Sequence, residues 1–144
     1  MREALRVRGL KVTPQRLAIL EELVGDPTHP TAADLFERLR PRLPSMSFAT
    51  VYNTLAVLTE QGLCVATSLM AGAVRFDPNV EPHDHAVCDG CGLVVDVILE
   101  RGAPREAAPK QRPVSGFAVR VVERIYRGLC VGCAASQELA ADAE

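Results

Sequence analysis

The sequence predicts an α+β chain in two parts, a winged helix-turn-helix followed by a small α/β unit with a metal site. Three observations predict it. Apolar residues recur at three- and four-residue spacing up to about residue 60, and beyond that the spacing shortens towards the alternation of strands. Turn-prone Ala71-Gly72 divides two short β-prone runs directly after the last of these helical stretches. Four of the five cysteines then form two Cys-x-x-Cys pairs, Cys88/Cys91 and Cys130/Cys133.

Leu5, Val7 and Leu10 suggest a short N-terminal turn or helix. Thr13-Pro14 reads as a helix cap followed by proline at the first helical position. Leu17, Leu20, Leu23 and Val24 make the apolar stripe of that second helix, and Gly25-Asp26-Pro27 stops it. Thr31 caps a third helix with Ala32, Leu35, Phe36 and Leu39 facing inward, ended by Pro41 and Pro44. Ser47 caps a fourth, with Val51, Leu55 and Leu58 as its stripe and Gly62 closing it. Short helices on short connections, the last with small and polar residues on its front, match a helix-turn-helix. Val65 to Met70 and Val74 to Phe76 then read as the hairpin of a wing.

The expected division is a winged-helix domain over 1–76, a hinge over 77–82 and a second domain over 83–144. Strand signals there cover His85 to Cys88, Leu93 to Leu99, Phe117 to Val122 and Arg124 to Leu129, and Ala134 to Ala141 is helix-prone. The stretch 102–116 contains Pro104, Pro109 and Pro113, so any helix in it should be short.

Composition narrows the function. The chain has 144 residues, no Trp and 4% aromatic residues, so a large stacking platform for an organic ligand is not expected. Its apolar runs fall far short of a membrane span and its start lacks a signal-peptide core, which makes a soluble cytoplasmic protein the expectation. The net charge of -2 hides an asymmetry: Arg2, Arg6, Arg8, Lys11 and Arg16 face only Glu3 within the first 16 residues. Residues 81–144 carry seven basic against ten acidic side chains. A basic end on a mildly acidic remainder fits a phosphate-contacting part joined to an assembly part.

In a reducing compartment, paired Cys-x-x-Cys motifs are more often metal ligands or redox groups than disulfides. Glycines at 90, 92 and 132 permit tight turns around the cysteines, and four thiolates would close one tetrahedral zinc site with no open position. Such a site is structural rather than catalytic. Cys64, in Gly62-Leu63-Cys64-Val65, reads as a small buried hydrophobe.

A second donor set is of different chemistry. His83 and His85 alternate and would share a face of a strand, Asp77 lies just before them, and Asp96 interrupts the apolar run Val94 to Val97. Imidazole with carboxylate suits iron, manganese or zinc. His29, between Thr28 and Pro30, belongs to the first part, and spacing does not show whether it joins them. A thiol oxidoreductase or a zinc hydrolase is the competing class, but a thioredoxin-like βαβ context is missing and no general base stands beside an open metal position.

These residues resemble the ferric uptake regulator (Fur) superfamily of metal-dependent repressors over nearly the whole chain. The carriers are Leu10 to Arg16, His29 to Ala32, Ala49 to Leu55, Arg75-Phe76-Asp77, the His83-x-His85-x-x-Cys88-x-x-Cys91-Gly92 run and Cys130-x-x-Cys133. The peroxide-responsive branch is the most similar. The resemblance implies a repressor, not an enzyme, with structural Zn2+ on Cys88, Cys91, Cys130 and Cys133. It implies a regulatory Fe2+ or Mn2+ on His29, Asp77, His83, His85 and Asp96, with His29 and His83 sensitive to iron-dependent oxidation by peroxide. It also implies a homodimer through the second half, double-stranded DNA with an A·T-rich palindromic operator as partner, and no membrane or small organic substrate. Asp96, where iron-sensing members often have Glu, and Asn53, where they commonly have Arg, favour the peroxide branch over a metal-uptake regulator. The proline-rich 102–116 stretch departs from the family's usual regular helix. On the recognition helix Ala49, Thr50, Tyr52 and Asn53 would front the major groove, with Ser47, Thr50 and Arg16 as phosphate contacts and Lys11 near the backbone or minor groove.

Overall fold

A computed structural model of the chain describes residues 1–69, 72–97 and 124–141. The strand expected over Phe117 to Val122, the 102–116 stretch, residues 98 and 99 of the expected Leu93 to Leu99 strand, and Met70-Ala71 of the hairpin lie outside the described residues. The chain divides into two compact units, Met1–Glu81 and Pro82–Glu144.

The first unit holds four helices, α1 (Arg2–Val7), α2 (Pro14–Val24), α3 (Ala32–Leu39) and α4 (Phe48–Glu60), then the strands β1 (Val65–Thr67) and β2 (Arg75–Asp77). The helix starts are set by side chains that satisfy otherwise unpaired amide donors. Thr13 accepts from the Arg16 amide with Pro14 at the first helical position, and Ser47 accepts from the Thr50 amide. Thr31 and Asp34 form a reciprocal capping box at the head of α3. Gly62, at φ 63°, follows α4 in the left-handed conformation that glycine adopts without strain.

Leu20, Leu23, Leu35, Leu39, Val51, Leu55 and Leu58 join one buried core with Phe76 from β2. The α2 stripe differs from its reading in sequence. Its buried arc runs from Ile19, which is fully buried, through Leu23 and Leu20 to Leu17, and Val24 lies on the same arc but is the last helical residue and is 51% exposed. In α1 only Leu5 is buried, and Val7, two residues on and so on the opposite side of a helix, is exposed. β1 and β2 pair antiparallel with Val65 opposite Asp77, and a bridge from Thr31 to Arg75 ties the head of α3 to the wing. The β1 strand ends at Thr67, short of the Val65 to Met70 run expected, and Asp77 is the last residue of β2 rather than the first of a loop.

The second unit is a three-stranded sheet in the order β4-β3-β5 followed by a helix. β3 (Asp84–Cys88) runs antiparallel to β4 (Val94–Val97) and parallel to β5 (Ile125–Gly128). α5 (Val131–Ala141) begins three residues before its expected start at Ala134 and so takes Cys133 into its first turn. Among the described residues no helix is long and apolar enough to cross a membrane.

Candidate metal centres

The four paired cysteines converge within the second unit. Cys88 ends β3, Cys91 lies in the β3–β4 turn, Cys130 precedes α5 and Cys133 sits on it. Their sulfurs all lie within 4.8 Å of one another, and none is in a disulfide. Cys91 Sγ and Cys130 Sγ are 3.8 Å apart. A tetrahedron with Zn–S bonds of about 2.3 Å has S···S edges of about 3.8 Å, so this spacing fits a zinc ion and exceeds by far that of an S–S bond.

The turns are shaped to the sulfurs. A Cβ on Gly90 would fall 2.9 Å from Cys133 Sγ, so a side chain there would occupy the space the thiolates share. Gly92, at φ 74°, closes the turn and its amide donates to the Cys88 carbonyl at 2.9 Å. The Cys130 amide donates to Cys88 Sγ at 3.2 Å. That bond, with further amide bonds from Cys91 and Gly90, holds the Cys88 thiol down at about 6. Cys133 is pushed up to about 12 by the hydrogen bonds it shares with Cys130, Cys88 and Cys91, which favour the protonated form. Crowded sulfurs resist joint ionisation, and a divalent cation among them removes that resistance. Cys64 stays apart: it is buried beside the Thr59 hydroxyl, and burial pushes its thiol up, away from the reactive thiolate.

The imidazole and carboxylate donors fall in both units, and each group is ordered in its own. In the first unit His29 and Asp77 are both buried, with His29 Nε2 3.4 Å from Asp77 Oδ2. In the second, His83 just precedes β3 and His85 lies on it, two residues on, and their rings lie 4.4 Å apart. Their Nε2 atoms approach to 3.0 Å. Asp96 is the register partner of His85 on β4, and its Oδ1 lies 3.3 Å from His83 Nε2. Two ring nitrogens and a carboxylate aimed at one point suit an Fe(II) or Mn(II) ion.

Of the DNA-contacting residues expected from sequence, Lys11 precedes α2 and Arg16 lies on α2, while Ser47 caps α4 and Ala49, Thr50, Tyr52 and Asn53 lie on it. Ala49, Tyr52 and Asn53 are exposed on one front of the helix, Thr50 is half-buried and its hydroxyl lies 2.9 Å from that of Ser47. Lys11 is exposed. Arg16 donates to the Lys11 carbonyl at 2.6 Å, which makes it a brace of the turn carrying Lys11 as much as a candidate for phosphate. Phe48 was not among the expected residues, yet it is 47% exposed at the start of α4 and its ring lies 6.5 Å from that of Tyr52. An aromatic at the first position of a recognition helix was the signal for it. Asp26, Arg38 and Arg75, around His29, also had no expected role.

Comparison with known proteins finds relatives along most of the chain. A profile of the ferric uptake regulator family matches residues 7–112. The peroxide operon regulator of Bacillus subtilis (strain 168) is 39% identical over 131 residues, covering 91% of this chain and 89% of that protein. The peroxide-responsive repressor PerR of Staphylococcus aureus (strain Mu50 / ATCC 700699) is 41% identical over 93 residues, 65% of this chain and 63% of that one. Among solved structures, the Vibrio cholerae ferric uptake regulator is similar with a TM-score of 0.67 and 28% identity, over 89% of this chain and 98% of that one.

Proposed function

This chain belongs to the ferric uptake regulator family, and we propose that it is a metal-dependent, DNA-binding transcriptional repressor that responds to hydrogen peroxide. It is a regulator rather than an enzyme. The observation that carries the reading is its 39% identity to a peroxide operon regulator across 91% of the chain. In this reading Cys88, Cys91, Cys130 and Cys133 hold a structural Zn2+. His29, Asp77, His83, His85 and Asp96 hold a regulatory Fe2+ or Mn2+.

The division of the second donor set supplies a mechanism. Residues 1–76 act as the DNA-binding domain, 77–82 as hinge and 83–144 as the dimerisation domain. Ligands from both sides of the hinge favour one arrangement of the two parts, by the difference in metal affinity between that arrangement and the others. Held by these residues, ferrous iron would supply the redox chemistry with peroxide in which one peroxide oxygen adds to an imidazole and the other leaves as water. His29 and His83 are the rings we assign to that modification, after which they no longer serve as ligands and the arrangement that binds DNA loses its support.

At the DNA, Asn53 suits bidentate bonding to adenine, and the exposed Tyr52 ring and Ala49 suit contact with thymine methyl groups. Lys11, Arg16, Ser47 and Thr50 are assigned to the backbone. One recognition helix makes few base contacts, so a cytoplasmic homodimer on an A·T-rich palindrome is the expected binding unit.

Peptide mass spectrometry of the Fe(II)-loaded protein after a small excess of peroxide, with a manganese-loaded control, tests the reading. A gain of one oxygen on peptides with His29 or His83, in the iron sample alone, is expected. No gain, with DNA binding still dependent on metal, would move the protein to the metal-uptake regulators of the same family.

A further inference from the structure

We propose that Arg75, supported by the Asp26–Thr28–Arg38 cluster, is a positioning residue that holds the His29 imidazole ready for its metal. The proposal rests on the assignment of His29 as a ligand. Its starting point is the backbone. His29 has φ 54° and is the one non-glycine among the described residues with positive φ. Pro30 follows it, and a residue before proline is driven towards extended conformations, so the left-handed one is disfavoured twice. Such a conformation persists where the surroundings over-determine it.

The surroundings do so from both flanks. Upstream, Asp26 is buried and accepts from the Thr28 amide at 2.7 Å and the Thr28 hydroxyl at 2.5 Å, while the Arg38 guanidinium donates to its other oxygen. Burial alone would raise the Asp26 carboxyl, but the bonds from Thr28 and Arg38 outweigh it and hold the group below the usual carboxylate range. Downstream, the Phe76 amide donates to the Pro30 carbonyl at 3.0 Å, and Thr31 bridges to Arg75. At the centre, the Arg75 guanidinium donates to the His29 carbonyl itself at 2.9 Å.

The clamp and the ligand pair share one strand. Arg75 begins β2 and Asp77, beside the His29 ring, ends it. One short strand thus holds the backbone oxygen of His29 and sets Asp77 beside its ring. Without the Arg75 bond the backbone is free to relax towards negative φ, which turns the Cα–Cβ bond and carries the imidazole away from Asp77.

The test uses the full-length, zinc-loaded protein and a Mn(II) titration read by the electron paramagnetic resonance signal of free Mn(II). Arg75→Met keeps length and removes the donor. It is expected to weaken Mn(II) binding about tenfold or more, the scale seen when a hydrogen bond behind a metal ligand is lost. Arg75→Lys should recover part of that loss, and zinc content and the melting temperature of the manganese-free protein should stay near wild type. Wild-type Mn(II) affinity in Arg75→Met would overturn the proposal. If Arg75→Met fails to fold, Asp26→Asn decides by the same criterion, with weaker Mn(II) binding expected and wild-type binding overturning it. His29→Ala separates the two levels. Wild-type Mn(II) binding there refutes His29 as a ligand and the proposal with it. Loss there, with none in Arg75→Met, refutes the positioning role alone.

Discussion

The sulfur donors and the nitrogen and oxygen donors of this chain differ in how far each must be brought to its neighbours. All four sulfurs belong to Pro82–Glu144, and each pair spans a single turn. The other five are divided, with His29 and Asp77 in Met1–Glu81 and His83, His85 and Asp96 in Pro82–Glu144. A site closed inside one unit adds its binding energy to the folding of that unit. A site whose donors came from two units, as proposed for His29, Asp77, His83, His85 and Asp96, would spend it on how those units are arranged, which is what a switch requires. On that proposal the sulfur site serves stability and the mixed donor set serves regulation.

The largest test breaks the first half of this contrast. Cys91→Ser should remove stoichiometric zinc and the cooperative unfolding of the second unit, since a structural zinc is worth about 10–16 kcal/mol in small domains. The helices of Met1–Glu81, whose core contains none of the four ligands, should remain in the circular dichroism spectrum. Full zinc by elemental analysis in this variant would refute the four-sulfur site.

His83→Ala addresses the second half. It should weaken Mn(II) binding by more than the roughly 10–100-fold that a lost supporting hydrogen bond costs. Zinc content and thermal unfolding should change little, because His83 precedes β3 and is no part of the sulfur cluster. A variant that lost both metals together would mean that the two sites are not separable.

Asn53→Ala asks whether α4 reads base edges. Asn53 is exposed and outside the core, so the fold should be unaffected. DNA affinity should fall by about 1–3 kcal/mol per half-site, with preference relaxed at one base pair in each. Competition binding with substituted operators measures it, and equal loss on every sequence would reassign Asn53 to the phosphate backbone.

The smallest effect is a slope with pH. Cys133, up at about 12, keeps its proton at neutral pH until zinc displaces it, so at least one proton leaves per zinc bound. Zinc affinity should therefore rise about tenfold per pH unit for each proton displaced. Below about 6 the Cys88 thiol also protonates and the fall towards acid steepens. Chelator competition on both sides of neutrality reads the slope, and a flat profile would show that the thiols are already ionised without metal.

Much of the first unit was legible because its determinants are local. Thr13, Thr31 and Ser47 cap helices through bonds to residues three positions on. The leucine stripes were legible for the same reason, while Val24 was misread because a helical pattern does not show where along the helix its cover ends. The cysteine pairs declared a metal site through spacing and the flanking glycines. Asp96 was detectable as a carboxylate inside an apolar strand, although its partner was not.

The sequence by itself determined which segments become helices, where they start, and which side chains are able to hold which metal. Those properties depend on neighbours a few residues away and on donor chemistry. Tertiary structure decided the rest. It set β5 parallel beside β3 and so brought Cys130 within 3.2 Å of Cys88 across 42 residues. It placed His85 opposite Asp96, a register that a shift of one residue would have turned to the other face. It held His29 at φ 54° with a bond from Arg75, 46 residues along the chain. Nothing in the local pattern specifies such a conformation, since it is stable only where distant groups hold it against its own preference.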